Sequence, residues 1–283
     1  MTPRGFTLVE LVMVIVITGI LAVMGTVFLK PAIDAYFGTQ RRAALTDLAD
    51  TALRRIGRDV RSAVPNSIRW PNSQCLELLP TSTGGRYRME PDTVSGGSAA
   101  LDIAQPVDHF DVLSDMSVIP AVGDWVVIDN EANSNDAYAG INRAAISGVT
   151  TPLASAGVAR IAISSTQFPS GYGGGRFVIV PNNGGNPAVV YVCSGADGTV
   201  DASGDGKGSL YRLTRAFSPT YPSSCPSSAG GAILVNKVKT CNLLYNASQD
   251  GTQQSALVWI ELEITSANES IALTYGVHVD NVP

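Results

Sequence analysis

A long apolar segment near the N-terminus constrains this chain more than any other feature. Residues 6–29 read FTLVELVMVIVITGILAVMGTVFL and contain a single charged side chain, Glu10. A helix rises about 1.5 Å per residue, so this segment can cross the roughly 30 Å hydrocarbon core of a bilayer. A cleaved secretory signal would be shorter and would end in a small-x-small site, and no such site follows Leu29. The segment therefore predicts a membrane helix that the mature protein retains.

The helix is expected to continue beyond the apolar segment and to become one-sided. Pro31 removes one backbone hydrogen bond and is expected to kink the helix, and Pro65 is expected to end it. Between the two prolines, apolar residues recur every three or four positions, which is typical of an amphipathic helix. The predicted buried face consists of Leu45, Leu48, Ala52, Ile56, Val60 and Ala63.

The other faces of this helix carry arginines and aspartates. Asp50 with Arg54, and Arg55 with Asp59, are spaced for ion pairs one helical turn apart. The arginines have two interpretations: a solvated face, or a surface that contacts acidic side chains of a neighbouring protein.

Beyond Pro65 the sequence predicts β-strands and loops, so the fold class is α+β. The sheet is expected to be antiparallel, because no helical crossover pattern separates the strands and residues 265–269 form only a short link. Residues 89–155 show few periodic segments and are interpreted as an inserted loop region or a small subdomain. The predicted strands are 75–79, 125–129, 177–180, 189–193, 209–213, 233–238, 256–264 and 270–279.

Four cysteines follow the helix, an even number that suits a domain folded in an oxidising compartment. Three pairings are possible. Cys193 closes one predicted strand and Cys241 follows another, so the two are expected on neighbouring strands and joined by a disulfide. Cys75 would then pair with Cys225, which lies in a loop.

Composition argues against several other function classes. The net charge of −5 gives no basic surface for nucleic acid. His109 and His278 are far apart and no HExxH or GxSxG motif is present, so neither a metallohydrolase nor a serine hydrolase is expected. Residues 204–209 read GDGKGS, but Asp201 stands where a phosphate loop has its first glycine, and Gly208 follows the lysine where Ser or Thr is required. We therefore expect no catalytic residues and no cofactor, and interpret His278 as an ordinary strand residue.

One loop has a partial resemblance to a calcium site. Asp201, Ser203 and Asp205 match the oxygen ligands at positions 1, 3 and 5 of a calcium loop, and Gly206 matches its turning glycine. Arg212 stands where the loop requires a bidentate acid. A tight polar turn explains the same residues, so calcium and a simple turn both remain open.

Glu10 makes the membrane segment more than an anchor. A carboxylate in hydrocarbon needs a cation, or must reach the headgroups at the helix start. The preceding MTPRG and the following FTLVE resemble the class III signal of type IV pilins and pseudopilins, although Arg4 is the one basic leader residue. The resemblance implies that prepilin peptidase cleaves between Gly5 and Phe6 and methylates the Phe6 amine. That amine would meet Glu10 of this or a neighbouring subunit and set the axial register of a filament.

The same resemblance implies a division of the chain and a location. Leader 1–5 would be followed by a membrane and filament-core helix 6–30, an amphipathic helix 31–64 and an extracytoplasmic domain 65–283. The implied partners are other pilin-like subunits, the prepilin peptidase, an inner-membrane assembly platform and, before assembly, membrane lipid. The protein would cross the bacterial inner membrane once, with its domain in the periplasm, and would later occupy a pilus tip at the cell surface.

A narrower resemblance is spread over the chain. The segments TALRRIGRDVRSAVPNSIR, LELLPTSTGGRYR, VVYVC, SLYRLTR and YGVHVDNVP are similar to the MshO-type minor pilins of the mannose-sensitive haemagglutinin (MSHA) pilus. This resemblance implies a minor, tip-associated subunit that takes part in pilus assembly and contributes to adhesion. The alternative is the J-type minor pseudopilin of type II secretion, which shares the long helix, the large sheet domain and the tip position.

Overall fold

One helix, α1 (Leu8–Arg61), forms the N-terminal part of the protein. Thr7 caps its N-terminus, and the helix continues through Pro31 without interruption. It ends at Arg61, short of the predicted end at residue 64, because the Ser62 N–H closes the last turn onto two helix carbonyls and Ala63 bridges to Pro80. The computed structural model describes residues 5–94, 96–131, 136–169, 174–247 and 255–280.

A seven-stranded antiparallel sheet, sheet 1, packs against the C-terminal half of α1. Its strand order is β1-β2-β9-β10-β11-β12-β13. The last three strands are the longest, and successive hairpins place them side by side beneath the helix. The strands are β1 (Arg69–Asn72), β2 (Cys75–Leu78), β9 (Ala188–Ser194), β10 (Gly208–Arg215), β11 (Ala232–Ala247), β12 (Ser255–Ser266) and β13 (Glu269–Asp280).

Small residues let α1 approach the sheet closely. A Cβ atom added at Gly57 would lie 2.5 Å from the ring of Tyr275 on β13, so a larger residue there would push the helix away. The predicted apolar face is buried at Leu45, Ala52, Ile56, Val60 and Ala63. Leu48 is the exception: its side chain is 47% exposed, because it points away from the sheet, and its predicted burial was wrong.

A second set of strands forms a closed antiparallel barrel. The six-stranded sheet has the order β3-β8-β5-β6-β7-β4. Its two end strands meet beyond β3, where Tyr87 bridges to Val112 and the Arg88 N–H donates to the Asp111 carbonyl at 2.9 Å. Closure removes the free edges of the sheet. The strands are β3 (Thr83–Arg86), β4 (Val107–Val112), β5 (Trp125–Val127), β6 (Arg143–Thr150), β7 (Ala159–Thr166) and β8 (Arg176–Val180).

The barrel has a core of its own, separate from the core between α1 and sheet 1. Aliphatic residues surround an edge-to-face pair, Phe110 and Phe177, whose ring centroids are 5.4 Å apart. A short 3-10 helix (Asn183–Gly185) returns the chain from β8 to sheet 1. A third cluster, which includes Val64, Leu79, Val127, Tyr138 and Val180, joins the end of α1, sheet 1 and the barrel.

The connection from β10 to β11 forms a strap, residues 216–231, across the outer face of sheet 1. Cys225 in the strap is joined to Cys75 on β2. Phe217 packs edge-on against Trp125 and Tyr138 of the barrel region, at centroid distances of 5.4 and 6.3 Å. The strap therefore fastens the barrel to the outer face of β1, β2, β9 and β10.

The predicted α+β fold, with a long helix on antiparallel strands, is confirmed, and each of the eight predicted strands is present. The strand pattern predicted one sheet, whereas the structure has two. Strands β1, β3, β4, β6 and β7 were missed. The stretch 89–155, interpreted as loops or a small subdomain, supplies β4, β5 and β6 of the barrel.

Candidate functional site on the N-terminal helix

The segment singled out for processing lies at the start of α1. Gly5 and Phe6 precede the helix, and the Phe6 side chain is 82% exposed. A peptide bond outside the helix is accessible to a protease without unwinding, so the 5–6 bond meets a basic requirement of cleavage. The leader residues before Gly5 lie outside the described residues.

Glu10 occupies the first turn of α1. Its N–H donates to the Thr7 hydroxyl oxygen at 3.3 Å, so Thr7 and Glu10 stand in the T-x-x-E spacing of a capping box. The positive end of the helix dipole favours a carboxylate here. Among the described residues, however, Glu10 forms no ion pair.

The apolar half of α1 projects from the rest of the molecule. Residues 8–37 are exposed apart from the half-buried Gly25, and close contact with the sheet begins at Gly38, beside Glu269. The Nε atom of Arg42 lies 3.1 Å from the Glu269 carboxylate and fixes this junction. The projecting part is about 45 Å long.

The surface of this projection suits a low-dielectric environment. By length and composition α1 can cross a membrane, and the most apolar part of this helix is not buried within the protein. The hydroxyls of Thr18 and Thr26 donate to carbonyls of the preceding turn, at 2.6 Å to Val14 and 2.9 Å to Val23. These polar groups are therefore satisfied inside the helix, as a membrane or a bundle of apolar helices requires.

Both predicted ion pairs are present along the amphipathic half. The Nε atom of Arg54 lies 2.5 Å from the Asp50 carboxylate, whereas the Nε atom of Arg55 lies 3.7 Å from the Asp59 carboxylate. Asp59 has closer partners, which the sequence did not indicate: the Tyr191 hydroxyl donates to it at 2.6 Å and the Arg212 Nε at 2.9 Å. These bonds join α1 to β9 and β10, and burial raises the pKa of the Tyr191 phenol. Asp59 therefore has a role in packing.

The loop considered for calcium is a hydrogen-bonded turn in this structure. Asp201 accepts bonds from the N–H groups of Ser203 and Asp205, at 2.8 and 3.0 Å. The Lys237 ammonium lies 2.8 Å from the Asp205 carboxylate and, with the Ala267 N–H, lowers the pKa of Asp205 to about 2. Lys237 thus supplies the positive charge at Asp205. No group of three or more metal-binding side chains occurs among the described residues.

The four cysteines form two disulfides. Cys75 is joined to Cys225 and Cys193 to Cys241, with Cα separations of 5.6 and 6.2 Å. These are the pairs that the strand pattern favoured. The reason given for the second pair was wrong in one respect: β9 and β11 are not neighbours, since β10 lies between them in the sheet order.

The two histidines lie in different parts of the molecule. His109 is on β4 of the barrel, where its Nδ1 is 2.5 Å from the adjacent Asp108 carboxylate. His278 is an exposed residue on β13, opposite Leu257. The structure does not bring them together.

Comparison with known families matches one part of the chain. Residues 2–26 match the model of the prokaryotic N-terminal methylation motif. This match supports a type IV pilin-like or pseudopilin-like protein, processed by prepilin peptidase, and the apolar helix fits a membrane-anchored member of that group. No curated protein and no solved structure matches the chain.

Proposed function

We propose that this protein is a minor, tip-associated subunit of a type IV pilus of the MSHA kind, most similar to the MshO type. The observation that carries the proposal is the continuity of three features. The methylation motif at residues 2–26 runs directly into an exposed apolar helix, and that helix bears a large, disulfide-linked domain. Filament subunits need each feature: a processing signal, a helix that packs with others, and a domain to display.

The helix would act first as an anchor and then as a packing element. Before assembly, the apolar half holds the protein in the inner membrane, with lipid around it and the domain in the periplasm. In a filament, the same surface exchanges lipid for the helices of other pilin-like subunits. This exchange leaves its apolar side chains in an apolar environment, so extraction by an assembly platform costs less than transfer into water.

Glu10 would define where the helix stops along the filament. Cleavage after Gly5 creates a positively charged amine at Phe6. An amine and a carboxylate attract each other far more strongly in low dielectric than in water, although desolvation offsets part of the gain. Because Glu10 has no ion-pair partner among the described residues, the amine of this or an adjacent subunit can satisfy it.

The size of the domain favours a minor role over that of the main repeating subunit. The barrel and strap add a second module outside the helix-packing sheet, and such a module is accommodated most easily where one side has no neighbour. Exposed loops of a tip subunit can also contribute to adhesion. A J-type minor pseudopilin of a type II secretion system is the second candidate, because the helix and sheet suit it equally. We assign no catalytic role.

The primary test is the chemistry of the N-terminus. Mass spectrometry of protein purified from membranes should find a chain that begins at N-methylated Phe6. Gly5→Leu should leave the precursor intact in the membrane, while Gly19→Leu, a matched change inside the helix, should be processed normally. An unprocessed wild-type chain, or cleavage elsewhere, would refute the pilin-like assignment.

Glu10→Gln separates anchoring from assembly. The variant should insert into the membrane at least as well as wild type, because it removes a charge from the apolar segment. It should cross-link to neighbouring pilin-like subunits several-fold less, whereas Asp34→Asn, a matched change beyond the apolar segment, should not. The identity of the cross-linked partners decides between the two candidates: pilus components favour the pilus subunit, and secretion components favour the pseudopilin.

A further inference from the structure

The outer face of sheet 1 is covered on one side and open on the other. The strap covers β2, β9 and β10, whereas the outward side chains of β11, β12 and β13 are exposed or half-buried. The opposite, inner face of these same three strands holds α1. Neither α1 nor the strap therefore covers the outer face of β11–β13.

An aromatic side chain lies at the centre of this open face. Trp259 on β12 stands between Leu244 on β11 and Gly276 on β13, its direct neighbours across the sheet. A Cβ atom added at Gly276 would lie 3.1 Å from two atoms of the indole ring. The ring therefore extends over the glycine, and Trp259 remains 40% exposed.

Polar contacts fix the orientation of the indole. Its Nε1 atom donates to one oxygen of Glu261 at 3.3 Å, and the Asn242 amide donates to the other oxygen at 3.2 Å. A carboxylate can accept about four hydrogen bonds, so Glu261 keeps acceptor sites that these two bonds do not use. Thr274, an exposed residue, lies opposite Glu261 on β13.

This arrangement defines a platform, made of Leu244, Trp259, Gly276, Asn242, Glu261 and Thr274. Strand spacing makes it about 10 Å wide, and its two rows of residues lie about 7 Å apart along the strands. The indole ring, fixed in orientation, can stack against C–H groups of a ligand. The amide, carboxylate and hydroxyl groups beside it can hydrogen-bond to the ligand's polar groups. Pyranose rings have this combination, with C–H groups on a face and hydroxyls around the rim.

We propose that the platform binds a neutral saccharide, with a pyranose ring stacked on Trp259 and its hydroxyls bonded to Glu261, Asn242 and Thr274. The carboxylate selects against sulfated or carboxylated glycans, because like charges repel. The assignment does not depend on the filament role, since it rests on β11–β13 alone.

Trp259 also stabilises the sheet, because an aromatic ring covers the glycine that faces it. That role accounts for the contact with Gly276 but does not require Glu261 to accept from the indole nitrogen, nor Asn242 to donate to Glu261. The test must therefore separate loss of binding from loss of folding.

The experiment uses the full chain in phospholipid nanodiscs, since glucoside and maltoside detergents carry competing sugars. Cellohexaose, chitohexaose and an N-acetyllactosamine oligomer are titrated by calorimetry, with a heparin hexasaccharide as the anionic comparison. We expect saturable binding of at least one neutral probe with a dissociation constant of about 1 mM or below. Saturation-transfer NMR should place the strongest signals on the C–H face of the bound sugar.

Three variants locate the binding. Trp259→Ala should weaken it at least about tenfold, and Glu261→Gln, which keeps the shape, about threefold. Trp259→Phe retains a ring over Gly276 and should bind with intermediate affinity. Ile233→Ala is the matched control, an exposed residue (58%) on β11 outside the platform, and should bind like wild type. Thermal unfolding of each variant shows whether it folds.

Several results would overturn the proposal. Failure of folded wild-type protein to bind any neutral probe would do so. So would binding by folded Trp259→Phe and Glu261→Gln with the same affinity as wild type. Binding of heparin alone, or equal losses in Ile233→Ala, would place the interaction elsewhere. None of these results bears on the processing of Phe6, so the filament proposal stands or falls separately.

Discussion

Arg69 offers the sharpest test of how the barrel is attached. Its side chain is 7% exposed and reaches two elements beyond its own strand. One guanidinium nitrogen donates to the carbonyls of Ser218 and Thr220 in the strap, at 2.7 and 3.3 Å. Another donates to Asp136, between β5 and β6 of the barrel, at 2.9 Å. We expect Arg69→Met to loosen the barrel and the strap together.

The structure sets the expected magnitude. Removing one partner of a buried ion pair costs about 3–5 kcal/mol, because the other charge stays buried without compensation. The guanidinium also lies 3.6 Å from the ring centre of Tyr138, and this contact is weakened. Methionine keeps the apolar stem, so the packing loss is small. We therefore expect a loss of about 3–5 kcal/mol, a large share of the roughly 5–15 kcal/mol that stabilises a typical protein.

Guanidinium unfolding of the full chain in detergent, followed by tryptophan fluorescence, measures this loss. Trp125 packs against Phe217 in the strap, so its emission reports separation of strap and barrel. Arg86→Met is the matched control, an exposed arginine on β3, and should change stability by less than about 0.5 kcal/mol. Asp136→Asn in a double-mutant cycle should recover at least about 1.5 kcal/mol of coupling with Arg69. A loss below about 1 kcal/mol for Arg69→Met would refute the reasoning.

Three further predictions concern the same domain. Burial raises the pKa of Glu77 above its unfolded value, so the free energy of unfolding should fall as pH rises through the folded pKa. Urea unfolding at a series of pH values measures this fall, and Glu77→Gln should remove it. Lys237→Met should raise the pKa of Asp205 from about 2 towards its ordinary value, which NMR titration measures, and an unchanged pKa would contradict the ion pair. Non-reducing peptide mapping should recover the disulfides Cys193–Cys241 and Cys75–Cys225, and any other pairing would contradict the structure. Each should add about 4–5 kcal/mol to the free energy of unfolding by closing a long loop.

The helix and the large sheet were predictable because their signals are local. An apolar run, a 3.6-residue period and alternating strands depend on residues near each other in sequence. Even so, β11 was predicted as residues 233–238 but extends over Ala232–Ala247. The apolar Leu244 lies on its outer face, and the register of its pairing with β12 shifts at a bulge near Val238. Both features weaken the alternation on which the prediction relied.

The barrel was not predictable in the same way because its strands are defined by distant partners. β3 reads TGGR, a sequence with low strand propensity, and it pairs with β8, whose residues lie 90 or more positions away. A Cβ atom added at Gly84 would lie 2.7 Å from the Phe177 carbonyl, so the glycine permits the close approach of β8. In isolation the same glycine predicts a loop. Closure of the barrel is likewise a long-range property that periodicity does not report.

The position of the barrel explains how one chain can combine a long, projecting helix with a second module. α1 packs on the inner face of β11, β12 and β13, at one edge of sheet 1. The barrel and the strap attach to the outer face at the other edge, through contacts that include Arg69 and the Cys75–Cys225 disulfide. Most of α1 thus packs on strands that the strap does not cover. Only its C-terminal end also meets β9 and β10, through Asp59, and the barrel, through the cluster that contains Val64. Substitutions in the barrel interior should therefore leave the exposed apolar surface of residues 8–37 unchanged.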